Sequence, residues 1–395
     1  MQRIYLLKGK VQHYNWGGHE FIPQLLNRTN TEGLPFAEYW LGAHPHFSSS
    51  IDRNRGSVSL IDFIKTDKTE VLGRQVAKDF DALPFLFKVL DVKQMLSIQV
   101  HPDLKEARIG FAKENKEGIP ITAAHRNYKD ENHKPEQMVA LSDFWLLHGF
   151  KSTEKLIAIL EATPELYFLK KIFADKGYDH LYRYVMTMEQ EEVNTLLQPL
   201  AERILPLYKS GRLQKDNEDF WAARAIVSFY KDANYDRGLF SVYFFNLLHL
   251  KTGEGIFQPA GMPHAYLEGQ NIEVMANSDN VLRGGLTEKY IDVEELMKHT
   301  NFSATVPDIL YPDSDGLYVS SAKEFCLYRY VNRSVSVSTG SAEIIFVFKG
   351  KLSAGDGSHQ VNVLPGEAVF VMAGTHTELV SDSETEFYRV AIPGA

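Results

Sequence analysis

Gly253-Glu-Gly-Ile-Phe-Gln-Pro-Ala-Gly-Met-Pro-His264, GEGIFQPAGMPH, returns near the end of the chain as Gly366-Glu-Ala-Val-Phe-Val-Met-Ala-Gly-Thr-His-Thr377, GEAVFVMAGTHT. The offset of 113 residues also carries Phe257 onto Phe370 and Gly261 onto Gly374. Each copy reads as a tight glycine turn, a short strand and a second turn. Two related β-units in one chain predict two small barrels. The copies part at Pro259, which becomes Met372, and at His264, which becomes Thr377. Imidazole is a common metal ligand, so a ligand at this position is expected in the first copy only.

Around this repeat the chain divides by character. Residues 1–148 are strand-like and loop-rich, with short runs such as LPFLFKVL and LSIQV between Gly, Pro and Asn/Asp clusters. From Ser152 the pattern turns helical, with Leu156, Ile159 and Leu160 at helical spacing after a Ser/Thr start signal. Strands are expected again after Gly238, beginning with LFSVYFFNLLHL. The reading is a mainly β protein with an α-helical insertion at 149–237. Residues 1–148 and 238–315 form one barrel and 316–395 a second that lacks metal ligands.

The 395 residues, 44% hydrophobic and 24% charged, are enough for two or three domains with their own cores. A net charge of −9 with no block of like charges leaves no electrostatic footprint for DNA or RNA. No leader-like apolar segment opens the chain and no apolar run approaches bilayer length, so a cytoplasmic protein without a membrane partner is expected. Its state is expected to be a monomer or a weak homo-oligomer. The single cysteine, Cys326, has no internal disulfide partner and reads as a small side chain among apolar neighbours.

Within LSIQVHP, Leu96–Pro102, strand alternation puts Ser97, Gln99 and His101 on one face and Ile98 and Val100 on the other. Two polar side chains so close either satisfy each other in a core or converge on one ion or ligand. The spacing G-x5-P-x-G-x2-H ending at His264 resembles the second motif of cupins, which are small β-barrels with an internal metal. Gln99-Val-His101 stands where the first cupin motif has H-x-H; glutamine in place of one histidine exchanges a nitrogen donor for oxygen. Further stretches resemble the type I phosphomannose isomerase family: NYKDENHKPE ending at Glu136, HAYLEGQNIEVMANSDNVLRGGLTEKYID from His264, FAEYWLGAHP ending at Pro45, and YNWG at Tyr14. The likeness spans nearly the whole chain and is weakest in the helical insertion. It implies two cupin-type (jelly-roll) barrels and one Zn²⁺ per chain held by Gln99, His101, Glu136 and His264. It also implies interconversion of mannose 6-phosphate and fructose 6-phosphate.

Two imidazoles, a carboxylate and an amide oxygen form a mixed N/O donor set suited to zinc, able to act as a Lewis acid toward a sugar oxygen. Aldose–ketose isomerisation moves a proton between C1 and C2 through a cis-enediol, which calls for a base, a stabiliser of oxygen charge and a grip on the phosphate. The resemblance implies a catalytic role for Arg283. For the base, Glu273 and Lys134 both stand as candidates, with Asp279 placed to orient either one. Lys289, Lys134 and Ser97 are candidate phosphate contacts. Gly284-Gly285 belongs to no nucleotide-binding pattern and reads as a turn. Two other classes share these ligands: an iron dioxygenase built on His101, His264 and Glu136, and a non-catalytic sugar-binding cupin. Tyr14, Trp16, Trp40 and His44 are aromatics of the N-terminal motifs, with packing the expected role at least for Trp40.

Overall fold

The longest strand, His264–Ala276, organises the fold. It pairs antiparallel with Phe85–Val92, Glu136–Ala140 and Phe144–Phe150, and meets Gln99 through its first residue. The computed structural model describes residues 2–53 and 56–394. Phe85–Val92, FLFKVLDV, is buried along its whole length, as a strand covered on both faces requires. This ten-stranded sheet runs from Phe245–Leu250 through these strands to Glu38–Gly42 and Lys10–Gln12. Gly255–Gln258 is attached beside Glu136–Ala140, and Leu282–Arg283 beside Gln99–Val100.

An eight-stranded sheet joins the two ends of the chain. Ile4–Lys8 lies between Ala368–Val371 and Ser50–Arg53, with Tyr5 opposite Phe370. A four-stranded sheet is made of Val335–Ser338, His376–Ser381, Leu352–Gly355 and Gln360–Val363. One apolar core binds the two large sheets together: Tyr5, Leu7, Phe87, Val89, Ile272 and Val274 meet Phe346, Phe370 and Tyr388. A separate apolar set, including Ile345, Val347, Leu352 and Leu379, fills the space beneath the four-stranded sheet.

The repeat is visible in backbone geometry. Gly255–Gln258 and Ala368–Val371 are strands at the same offset of 113, and the turns around them use φ of +87° and +81° at Gly253 and Gly261, +80° and +69° at Gly366 and Gly374. Only glycine takes these values without strain.

Helices Thr153–Ala162, Tyr167–Thr187, Gln190–Lys209 and Glu218–Phe229 form the helical region, the first capped by the Ser152 hydroxyl. Their apolar faces close over Trp145, Leu147, Ala265 and Leu267, the outward side chains of the central strands. The protein is thus β-rich with a helical region, as expected. One local expectation is corrected: Gly238–Phe244 is a helix, and the strand begins only at Phe245. Every residue of that helix is buried, and a short, largely apolar run carries no periodicity to separate helix from strand. Among the described residues, no helix is long and apolar enough to cross a membrane.

Candidate metal centre and active site

Alternation along the central strands turns His264 and Tyr266, and Phe144 and Leu146, away from the helices and onto the inner face of the sheet. Antiparallel pairing then sets residues side by side. His148 is opposite His264, His264 opposite Gln99, and Gln99 opposite Arg283, a row of four polar side chains across four strands. Glu136 starts the strand that pairs with the far end of His264–Ala276, opposite Met275.

His101, Glu136 and His264 converge, with their ligand atoms within 4.8 Å of one another and all three side chains buried. His264 Nε2 stands 3.2 Å from one oxygen of Glu136, and His101 Nε2 stands 3.6 Å from the other. Each imidazole commits its Nδ1 to a backbone carbonyl, His101 to Asn280 at 2.7 Å and His264 to Met262 at 2.9 Å. Both Nε2 atoms are thereby free to accept a metal, the arrangement that second hydrogen bonds impose on ligating histidines. His101 Nε2 is buried without a hydrogen-bond partner, the atom left unsatisfied when an ion is subtracted. Burial pushes His101 down to about 4 despite Glu136 beside it, so the ring is neutral and ligand-ready. Burial would raise Glu136, but Lys134, with Nζ 2.8 Å away, and the imidazoles hold it well below the usual range. Two nitrogens, a carboxylate and the neighbouring Gln99 amide fit zinc in donor type.

Behind this triad a second buried group was missed in the sequence. Lys88 Nζ lies 3.2 Å from Glu273 and 3.6 Å from Glu38, and 5.0 Å over the Trp40 ring. The opposing carboxylates outweigh its burial and raise its pKa above the usual value. The Tyr266 hydroxyl donates to Glu273 at 2.9 Å. Burial, then the Glu136 charge, raise Glu273. A lysine inside the apolar run LPFLFKVL was the available signal, since a buried lysine needs carboxylates around it. His148 carried no such signal; burial drives it down to about 3 and leaves it neutral.

Glu38, Lys88, Gln99, Lys134, Glu136, His264, Tyr266 and Glu273 line one cavity. Arg283, paired opposite the lining residue Gln99, is half-buried, with its Nε unpartnered and no ion pair among the described residues. Lys289 is exposed, and its pKa is lowered by partial burial and by the charge of Arg283. Ser97 is half-buried just ahead of Gln99. Asp279 is exposed, its carboxylate 3.2 Å from the buried His44. Trp40 is buried and packs edge-on to His44, as the packing expectation had it.

Fold and site together define a metal-binding, β-rich protein, with a cation that has no ion pair among the described residues on the strand paired to Gln99. Known proteins agree. The sequence profile described as phosphomannose isomerase type I, catalytic domain, matches residues 4–153. The mannose-6-phosphate isomerase of Escherichia coli (strain K12) is 40% identical over 380 residues, covering 93% of this chain and 94% of that one. The mannose-6-phosphate isomerase of Homo sapiens is 34% identical over 328 residues, 76% of this chain and 74% of that one. A crystal structure of the Salmonella typhimurium mannose 6-phosphate isomerase bound to fructose 6-phosphate and zinc superposes with a TM-score of 0.88 at 35% identity, covering 99% of this chain and 100% of that one. The chain belongs to the type I phosphomannose isomerase family.

Proposed function

We infer that the protein is a zinc-dependent aldose–ketose isomerase that interconverts D-mannose 6-phosphate and D-fructose 6-phosphate. The observation that carries this reading is the orphaned His101 Nε2 facing Glu136 and His264, with an arginine that has no carboxylate partner among the described residues on the strand paired to Gln99. His101, Glu136, His264 and Gln99 hold the ion in this proposal. When bound, zinc supplies Lewis-acid polarisation of the sugar oxygens.

The side chains divide the remaining work. Glu273, raised by burial and by Glu136, takes the proton from C2 of the aldose and returns it to C1, while O1 gains and O2 loses a proton through the cis-enediol. Lys88 and Tyr266 hold its carboxylate toward the cavity. Lys134, the rival for this role, is tied to Glu136 and presents charge to the developing enediolate instead. Arg283 serves the same oxygens with a charge that does not titrate. Asp279 orients His44. Lys289 and Ser97 receive the phosphate, where cations without carboxylate partners suit a dianion.

The proposal extends to architecture. The inner apolar set of Leu90, Met138, Phe144, Leu146 and Tyr266 supports a cupin-type barrel made from 1–148 and 238–315. The set beneath the four-stranded sheet supports a second barrel in 316–395, and 149–237 is the helical insertion within the first. A cytoplasmic, monomeric or weakly associating enzyme completes the reading. The deciding experiment follows mannose 6-phosphate conversion before chelation, after chelation, and after zinc is restored. Activity that is lost and then regained is the expected result. Inactivity of a folded, zinc-loaded protein would sink the assignment, and iron-dependent oxygen uptake would replace it with a dioxygenase.

A further inference from the structure

His101, Glu136 and His264 are not held equally well by their own elements. His264 begins a strand of 13 residues, and its Nδ1 bonds within its own turn, to Met262. Glu136 begins a five-residue strand paired on both sides. His101 follows a strand of only two residues, Gln99–Val100, and lies in coil. Its ring is held by a carbonyl 179 residues away in sequence, that of Asn280.

That carbonyl is itself locked in place. The Asn280 side chain is fully buried, and every part of it is used. Its Oδ1 accepts from the backbone N–H of Lys129 at 2.6 Å and of Asp130 at 3.2 Å. Its Nδ2 donates to the carbonyls of Asp130 at 2.9 Å and Asn132 at 2.8 Å. Asp130 answers from the other side: its carboxylate accepts from the Ser278 hydroxyl at 2.9 Å and from the Asp279 N–H at 2.7 Å. Asn132 adds a bond from its Nδ2 to the Asn277 carbonyl at 3.1 Å. The loop 277–280 and the segment 129–132 therefore form one clasp. The same segment runs directly into Lys134 and Glu136, so the clasp joins the support of one ligand to the approach of another.

We propose that Asn280 and Asp130 are positioning residues for the metal centre: their clasp aims the His101 imidazole and sets how tightly the ion is held, without touching ion or substrate. This rests on the metal-dependent reading above. A histidine in coil just past so short a strand depends on this distant carbonyl for its Nδ1 hydrogen bond. Outer hydrogen-bonding partners of ligating histidines characteristically govern metal affinity by 10- to 100-fold.

The test uses the full-length protein and two variants. Asn280→Asp keeps the shape and the acceptor for the N–H groups of Lys129 and Asp130, but removes the donor to two carbonyls and sets a second carboxylate beside Asp130. Ser278→Ala deletes the hydroxyl bonds to Asp130 and the Asn132 carbonyl and the acceptor for the Asn280 backbone N–H, and leaves the Asn280 side chain and its bonds to the 129–132 segment in place. Zinc affinity is measured by competition with a chromogenic chelator, alongside the melting temperature of the metal-free protein and kcat and KM at saturating zinc. The expected result is zinc binding weaker by about 10- to 100-fold in Asn280→Asp and by a smaller factor in Ser278→Ala. The metal-free melting temperature moves by no more than about 4 °C, KM for mannose 6-phosphate is unchanged, and kcat recovers at saturating zinc. Unchanged zinc affinity in folded Asn280→Asp overturns the proposal. So does an affinity loss matched by an equal loss of metal-free stability, which marks a merely structural clasp. Should Asn280→Asp not fold, Ser278→Ala decides, and unaltered affinity there overturns it. Failure of the wild-type protein to bind zinc or isomerise would instead overturn the functional reading itself.

Discussion

Arg283 and Glu136 show how much depends on what surrounds a charge. Arg283 is half-buried with no carboxylate partner among the described residues, an arrangement that costs stability unless an anion or a developing negative charge arrives. Arg283→Lys keeps the charge but loses the planar fork, and kcat/KM is expected to fall roughly 100-fold with zinc content unchanged. Equal kcat/KM in the two proteins would remove Arg283 from the mechanism. Glu136 is the opposite case, a carboxylate buried between a lysine and two imidazoles. Glu136→Gln leaves Lys134 buried without its counter-charge, so zinc content and activity are expected to be lost together. Breaking such a pair costs about 3–5 kcal/mol, measurable by urea unfolding. These residues were picked out beforehand by the resemblance to the phosphomannose isomerase family, whose motifs carry Glu136 and Arg283. Lys88 was not picked out, although its place in an apolar strand now has a plain electrostatic reason.

Among elements, the join between the helical region and the central strand rests partly on Glu268, which bonds Lys215 and Arg224. Burial tends to raise its pKa, but the hydrogen bonds and charges of those two cations prevail and hold it below the usual value of 4.5. The unfolded chain therefore binds the proton more readily than the folded one. Stability from this group is present above pH 4.5 and is lost as pH falls through the lower, folded-state value. Glu268→Gln is expected to cost about 1–2 kcal/mol at pH 7, with the difference from wild type shrinking below pH 4.5 in urea titrations. A difference independent of pH would assign the cost to packing. The repeated unit offers a second test. Thr377 occupies the His264 position, but the core around its sheet is built from Ile345, Val347, Leu352 and Leu379. Thr377→His is expected to add no second zinc by elemental analysis and to destabilise by about 1–3 kcal/mol through overpacking. Two zinc ions per chain would refute this.

At the scale of the molecule, the two halves are not independent. Ile4–Lys8 is hydrogen-bonded to Ala368–Val371, and the core that Tyr5 and Leu7 enter also contains Phe87, Val274 and Phe346. Leu7 is 3% exposed, and Leu7→Ala is expected to cost about 2–5 kcal/mol. Because that core spans both large sheets, activity and near-UV circular dichroism should be lost in a single coincident urea transition in wild type and variant alike. Two separated transitions would show that the sheets unfold independently.

The sequence by itself determined the β-rich class, the helical region and the repeat, and its resemblance to a known family supplied the residues expected to hold a metal. The class, the helical region and the repeat rest on local information: alternation, helical spacing and glycine turns with positive φ. It stopped short at Gly238–Phe244, where complete burial erased the periodicity that separates helix from strand. Tertiary structure alone decided which side chains meet. Strand register put Arg283 opposite Gln99 and His148 opposite His264, long-range pairing placed the N-terminal strand beside Ala368–Val371, and Asn280 came to hold His101 across 179 residues. Such contacts depend on how strands from distant parts of the chain align, and no local pattern of residues encodes that alignment.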